Sequence, residues 1–367
     1  MKEYQNKKIN VCVLAGGISP EHTISIVSSS SVVKNLDTSK YNVHVIGIEK
    51  ENGTWRYYPD NDFYKDDGNI NSYRLKEEGW LPVVIKPGEK SVIHYYDKNA
   101  SKGSLLKPLD VDIFFPVMHG SKSEDGTLQG LIEVLGVNIV GCKTLSSAMA
   151  MDKNISKIIA QSYTVPVVPW QCFYSTSEIN INELVKSLGL PLFIKPSSAG
   201  SSVGISKVNT KEELLLAVQN GLKYSDSVLV EKSVKAREIE IAVLGIWNGD
   251  VKVSLPGEII PLKEFYTYEA KYSDDKGAEL VAPVTLSKEI ADEISLTAEK
   301  IFRALKCSGM ARADFFLEHD SDKIYFNEIN TIPGFTSISM YPRLWSETGI
   351  PYPKLLDELI NIGMEAR

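Results

Sequence analysis

Short β-branched runs alternate with helical stretches through the first third of the chain: Ile9–Leu14, Ile24–Leu36 and Val43–Ile48, later Asp112–Val117 followed by Thr127–Leu135. Strand, crossover helix and strand make a βαβ unit, whose two strands lie parallel. A chain that begins this way is committed to an α/β domain whose ligands sit beyond the carboxyl ends of its strands. Between Glu49 and Pro108 the periodicity is lost among Asn, Asp, Gly and Pro, with only Pro82–Ile85 and Ser91–Tyr95 strand-like. That segment is expected to be an elaborated surface insertion.

A helix is expected over Ser147–Tyr163, ending at the prolines of VPVVPW, and a second domain begins near residue 142. A helix over Ile181–Leu188, the strand LPLFIKP, a small-residue loop and a helix over Glu212–Leu222 follow. From VLVEK onward come strands Glu238–Leu244 and Val251–Leu255 and an irregular stretch from Pro256 to Leu280. The helix Lys288–Leu305 places Ile290, Ile294, Ile301 and Leu305 on one face. A hairpin and a helix over Lys354–Gly363 close the sequence. A length of 367 residues suits two or three domains, with boundaries expected at 1–141, 142–231 and 232–367.

Forty Lys and Arg against 47 Asp and Glu leave a net charge of −7, so no basic surplus attracts nucleic acid or an anionic membrane. Neither partner is expected. The opening MKEYQNKKINVCVLAGG reads as neither a signal peptide nor a membrane span, so a cytoplasmic location is expected. Cys12, Cys142, Cys172 and Cys307 form no Cys-x-x-Cys pair and are expected to be reduced core residues.

The segment ARADFFLEHDSDKIYFNEINTIPG reads as two strands joined by a polar turn at His319–Asp322. Pairing centred on Ser321 sets Asp314 opposite Glu328 and Arg312 opposite Asn330. Alternation then places Arg312, Asp314, Phe316, Phe326, Glu328 and Asn330 on one face, and Ala313, Phe315, Leu317, Tyr325, Asn327 and Ile329 on the other. The open end gathers two carboxylates, an amide oxygen and a guanidinium, the hard-oxygen set that Mg²⁺ or Mn²⁺ takes with bound phosphates. A solvated face with an Arg–Asp surface pair fits the same residues.

In LPLFIKPSSAGSSVGISKV a strand ending in Lys195 leads into a loop of Ser197, Ser198, Gly200, Ser201, Ser202 and Gly204. Small residues let backbone amides approach an anion, and Lys adds a point charge for phosphate. The loop matches neither a Walker A sequence nor G-x-G-x-x-G, and a flexible linker has the same composition. Nearby, VLVEK delivers Glu231, able to accept from an adenine amino group, and Lys232, able to contact phosphate. Glu238 is placed to hold ribose hydroxyls.

Taken in order, GGISPEHTIS, MHGSKSEDGTLQG, FIKPSSAGSSVGISKV, FYTYEAKY and NEINTIPGFTSIS resemble the D-alanine–D-alanine ligase family of the ATP-grasp superfamily, across nearly the whole chain. The resemblance implies an ATP-grasp fold: an N-terminal parallel-sheet, Rossmann-like domain and two α+β domains that sandwich ATP. It implies that ATP phosphorylates one D-alanine carboxylate and that the amine of a second D-alanine attacks the acyl phosphate, in peptidoglycan precursor synthesis. Two Mg²⁺ or Mn²⁺ ions and a homodimer belong to the same expectation.

Carried over by position, Glu21 receives the first substrate's ammonium in a set with Ser201 and Tyr272. Tyr272 and Lys271 belong to a lid over the site, and His119 lies near the first substrate. Arg312 and the backbone amide of Gly334 stabilise the oxyanion and the moving phosphoryl group. Asp314, Glu328 and Asn330 are implied as metal ligands, Ser339 as holding the second substrate's carboxylate, and Lys153, Lys195 and Lys232 as contacting ATP phosphates. SKSEDG in place of a glycine-rich loop, Ile24, Ala313 and Ile338 depart from the family pattern. Ligases joining D-alanine to D-lactate or D-serine would keep the phosphate and metal residues and alter the second-substrate pocket, and Tyr272 within EAKY favours the dipeptide ligase; a regulatory ATP-binding protein is the reading from another class, and the complete metal and oxyanion set argues against it.

Overall fold

The computed structural model of the chain describes residues 7–86, 88–89, 91–96, 106–261, 278–336 and 338–366. In its first third β1 (Ile9–Gly16) and β2 (Tyr41–Ile48), bridged by α1 (His22–Asn35), pair in parallel from Ile9 opposite Tyr41 to Gly16 opposite Ile48. Then come β3 (Trp55–Tyr58), β4 (Tyr64–Lys65), β5 (Arg74–Leu75), β6 (Leu81–Val84), β7 (Val92–Tyr96), β8 (Leu106–Asp110), β9 (Ile113–Pro116), α2 (Thr127–Leu135) and β10 (Asn138–Ile139). The sheet runs β10-β9-β1-β2-β3-β6-β7-β8. Its first four strands are parallel, and the rest add on antiparallel. The expected surface insertion is thereby corrected, because residues 49–108 supply half the strands of this sheet. The strand-like pieces Pro82–Ile85 and Ser91–Tyr95 are β6 and β7, while β3 and β8 are too short to show an alternation that separates them from loop.

The helix expected over Ser147–Tyr163 is two helices, α3 (Thr144–Met151) and α4 (Lys153–Ser162). Asp152 breaks them: its backbone is extended, and its carboxylate accepts from Ile155 N–H at 2.9 Å, an N-cap worth about 1 kcal/mol. Next, β11 (Trp170–Phe173), α5 (Ile181–Leu188), β12 (Leu192–Pro196), β13 (Ser206–Val208), α6 (Lys211–Gly221) and β14 (Val228–Lys232) form an antiparallel sheet, ordered β11-β14-β12-β13, with its own small core. Although α3 and α4 lie within the expected 142–231 unit, they do not join that core. Ala150 and Ala160 pack instead with Ile239, Phe302 and Ala313 of the next unit.

The last unit holds β15 (Ala236–Ile246), β16 (Val251–Val253), β17 (Gly257–Pro261), β18 (Ala278–Val281), α7 (Lys288–Ala304), β19 (Ser308–Glu318), β20 (Ile324–Asn330), α8 (Met340–Glu347) and α9 (Tyr352–Glu365). Its sheet runs β18-β17-β15-β19-β20, with β16 also on β15. The α7 face carrying Ile294, Ala298, Ile301 and Phe302 is buried on it. Tyr341 and Trp345 of α8 and Leu355 and Leu359 of α9 share a core with Val11, Ile113 and Phe115, which joins the first sheet to the third. That shared core turns the carboxyl ends of β1 and β9 toward the polar end of the β19–β20 hairpin.

Arg312 pairs with Asn330 and Asp314 with Glu328, as the hairpin parity requires. Beyond Asp314 the register slips, so Phe315 faces Phe326 and Leu317 faces Ile324, leaving Asn327 as an extra, bulged residue. The expected grouping of Phe326 with Phe316 is corrected: Phe326 is fully buried, edge-on to Phe315 with ring centroids 6.0 Å apart.

Candidate active site

One cavity opens where the three sheets meet, and Glu21, His119, Lys153, Ser201, Arg312, Glu328, Asn330, Gly334 and Ser339 all line it. At the end of β1, Gly16 and Gly17 adopt φ of 82° and 101°, a turn that a side chain would strain. The chain then enters α1 at Glu21. The hydroxyl of Ser19 accepts from Glu21 N–H and donates to the His119 carbonyl, while Ser25 accepts from His119 N–H at 3.0 Å. Gly120 (φ 83°) permits the closest approach, since a Cβ there would lie 2.5 Å from Glu21 Oε2.

His119 is buried between elements far apart in sequence. Its Nδ1 faces the Ile332 carbonyl at 3.0 Å. A carbonyl only accepts, so Nδ1 carries the proton and Nε2 accepts from Ser28 Oγ at 3.1 Å. Burial holds the imidazole below its ordinary pKa, and the Arg312 charge adds to this against the opposing pull of Glu21. Glu124, close by, accepts from Gly120 N–H at 2.8 Å. Burial, followed by the charge of Glu21, pushes its carboxyl well above the usual range. The sequence reading missed Glu124, together with the serines of α1: in a strand-period or helix-period scan, small polar residues give no signal of which of them will be buried.

Ser201 comes from the loop after β12. It and Ser202 adopt left-handed backbone (φ 49° and 59°), which costs a non-glycine residue about 1–2 kcal/mol each. The Ser201 hydroxyl donates to the Glu21 carboxylate, so the loop is tied across to the first sheet. Tyr272 and Lys271, the expected lid residues, lie outside the described residues.

On the opposite wall Arg312 reaches Asp314 with two parallel bonds, Nε at 2.8 Å and Nη2 at 2.7 Å, and stands 3.2 Å from Glu240. Glu240, opposite Asp314 across the β15–β19 ladder, was not foreseen. Asn330 donates to Asp314 at 3.1 Å, and Lys153 pairs with Glu328 at 3.1 Å. The Arg–Asp pair is thus present but sits inside the cleft, with side chains 22% and 13% exposed, and not on a solvated face. Asp314, Glu328 and Asn330 bring hard oxygens to neighbouring ladder positions, next to two cations, and this donor chemistry fits a divalent ion shared with phosphate. Among the described residues no group of three His, Cys, Asp or Glu is arranged to hold a metal. Two carboxylates and an amide would therefore leave the other coordination positions to phosphate and water. Gly334 and Ser339 close the cavity; Ser339 Oγ accepts from Thr336 N–H at 3.1 Å.

Lys195, Glu231, Lys232 and Glu238 do not line this cavity: the first three come from β12 and β14 of the second sheet, and Glu238 comes from β15 of the third. Lys195 pairs with Glu231 at 2.6 Å, donates to Asn327 at 3.1 Å and stands 5.4 Å over the Phe316 ring. Glu238 neighbours that ring, opposite Phe316 in the ladder, and Lys232 is exposed at the end of β14. Glu231 is 1% exposed and meets Lys195 with one oxygen and Lys157 with the other. In this arrangement each oxygen of Glu231 faces an ammonium, and each keeps a further lone pair with which it can accept. Burial would raise its pKa, but Lys157 and Lys195 outweigh that and hold it down at about 2.

Residues 10–142 match the family model described as D-ala D-ala ligase N-terminus, and residues 159–361 match D-ala D-ala ligase C-terminus. A D-alanine–D-alanine ligase of Caldicellulosiruptor bescii is 44% identical over 366 residues, covering 98% of this chain and 96% of the relative. One of Clostridium acetobutylicum is 43% identical, covering 97% and 98%. Among solved structures, the D-alanine-D-alanine ligase of Coxiella burnetii superposes with a TM-score of 0.81 at 36% identity, covering 98% of this chain and 94% of that one. The VanG D-Ala:D-Ser ligase of Enterococcus faecalis gives 0.84 at 34%, covering 97% and 100%. Matched by both family models and by relatives across nearly its whole length, the chain belongs to the D-alanine–D-alanine ligase family and has its ATP-grasp fold.

Proposed function

We infer that this chain uses ATP to join two D-alanines into D-alanyl-D-alanine for peptidoglycan precursor synthesis. The observation that carries this reading is the meeting, in one cavity, of Glu21 bonded to Ser201 with the Arg312, Glu328 and Asn330 wall. The first wall suits an α-ammonium and a small amino acid, and the second suits phosphate.

Glu21, oriented by Ser201 and by the glycine at 120, receives the ammonium of the first D-alanine, and neutral His119 borders it. The carboxylate of that substrate attacks the terminal phosphorus of ATP, releasing ADP and leaving an acyl phosphate. The amine of the second D-alanine then attacks the acyl carbon, loses a proton and expels inorganic phosphate. Arg312 and the Gly334 amide stabilise charge that develops on the oxygens, and Ser339 holds the carboxylate of the second substrate. Lys153, Lys195 and Lys232 are assigned to ATP phosphates, Glu231 to the adenine amino group and Glu238 to the ribose. Asp314, Glu328 and Asn330 would hold Mg²⁺ or Mn²⁺, two ions in this reading, which when bound neutralise phosphate charge. Lys271 and Tyr272 are assigned to the lid. The boundaries near 142 and 232, a homodimer and a cytoplasmic location complete the proposal.

A second reading, ligation of D-alanine to D-serine, draws on the VanG relative and on Ile338, which is 65% exposed at the rim of the cavity. Incubation with ATP, Mg²⁺ and D-alanine, with and without D-serine or D-lactate, separates the two by product mass. D-alanyl-D-alanine as the main product in every mixture is the expected result. A mixed product predominating would move the second-substrate assignment, and no D-alanine-dependent phosphate release would overturn the ligase reading. Light scattering on the purified protein tests the dimer.

A further inference from the structure

A buried charge cluster links α4 to the second sheet, and the mechanism above uses only part of it. Lys157 is fully buried, with its ammonium 2.9 Å from Glu231 Oε1 and 5.7 Å from the centre of the Trp170 ring. Lys195 holds the other oxygen of Glu231 at 2.6 Å. Two ammoniums therefore share one carboxylate. Their surroundings differ: the Lys157 side chain is 1% exposed and that of Lys195 10%. Lys195 also reaches Asn327, the bulged residue of β20, so its ammonium already spans the gap between the second and third sheets.

A buried carboxylate stripped of its counterion is costly, so a lysine that is the sole partner of one is held in place. With a second ammonium present, one of the two can turn away while the carboxylate stays paired. Only Lys195 has somewhere to go. We propose that Lys157 is a positioning residue: it keeps Glu231 neutralised so that Lys195 can leave that carboxylate for the phosphates of ATP. This rests on the assignment of Lys195 to those phosphates. Burial lowers the pKa of Lys157, and the charge of Glu231 opposes this.

Charge counting gives the test. The cluster carries two positive charges and one negative. Lys157→Met leaves Lys195 alone with Glu231, whereas Lys157→Met with Glu231→Gln frees Lys195 again, and the glutamine keeps a carbonyl oxygen able to accept from the adenine amino group. In steady-state assays on the full-length enzyme, the single variant should raise the KM for ATP about tenfold while the KM for D-alanine stays within about twofold. The double variant should return the KM for ATP to within about threefold of wild type. A structural role alone would lower the melting temperature without this reversal. The proposal is overturned if Lys157→Met leaves the KM for ATP unchanged, or if the double variant binds ATP as weakly as the single one. Should Lys157→Met not fold, the double variant decides alone: a KM for ATP near wild type supports the proposal, and a tenfold rise refutes it. Lys195→Met is the separate control, since an unchanged KM for ATP in that variant would remove the phosphate assignment itself.

Discussion

Ser201 and Glu21 are 180 residues apart in sequence, yet the hydroxyl of the first donates directly to the carboxylate of the second. The bond joins the loop after β12 to the start of α1, and it fixes the carboxylate assigned to the substrate ammonium. A hydrogen bond to a charged group contributes about 1.5–3 kcal/mol. Ser201→Ala should therefore raise the KM for the first D-alanine tenfold or more and leave the melting temperature within a few degrees. Kinetics at saturating ATP read this directly, and an unchanged KM would remove the positioning role.

Arg312 makes a two-pronged bond to Asp314 that a lysine has no geometry to copy. Arg312→Lys keeps the charge but loses the fork. Turnover should fall by about 10²–10³, the usual scale for removing one preorganised donor from a developing oxyanion, with far-UV circular dichroism unchanged. Near-wild-type turnover in this variant would show that charge alone is enough.

His119 gives stability a pH dependence of defined sign. Burial lowers its folded-state pKa, so below the ordinary value of about 6.5 the unfolded chain takes up a proton that the folded chain refuses. Its contribution is complete above that pH and is lost as pH falls toward the lowered value. Glu124 acts in the opposite sense: its raised pKa makes the folded chain bind the extra proton, so its effect disfavours folding as pH rises. Melting temperatures from pH 8 to 5 should fall more steeply for wild type than for His119→Gln. The same slope in both would contradict the assignment.

Phe326 lies fully buried against Phe315 because of the bulge at Asn327. Phe326→Ala should cost about 3–5 kcal/mol in denaturant unfolding, the range for a large core truncation. The unbulged pairing would have put this ring beside Phe316, on the half-exposed face, where truncation costs far less. A small loss would therefore favour that register.

The β1–α1–β2 unit and the face of α7 could be read from the sequence because long, regular periods carry their own signal. So could the Arg312–Asn330 and Asp314–Glu328 pairs, which follow from strand parity near the open end of the hairpin. The bulge could not, since one inserted residue changes the far end of a hairpin without altering its composition. Strands β3 and β8 were too short to stand out, β6 and β7 showed only as isolated strand-like pieces, and α8 carries Pro342 in its first turn, where proline is tolerated but obscures the helical pattern. Glu124, Glu240 and Lys157 were missed for a different reason. Their meaning lies in which distant charges face them, and that is decided only when the sheets pack.

The most direct test of the ligase chemistry follows one oxygen. D-alanine labelled with ¹⁸O in its carboxylate is incubated with ATP, Mg²⁺ and the enzyme, and the released inorganic phosphate is analysed by mass spectrometry. If the carboxylate attacks phosphorus and the second amine then expels phosphate, a carboxylate oxygen leaves with the phosphate, so labelled phosphate should appear in step with dipeptide. Dipeptide formed with unlabelled phosphate would contradict an acyl phosphate and, with it, the roles assigned to Arg312 and Gly334.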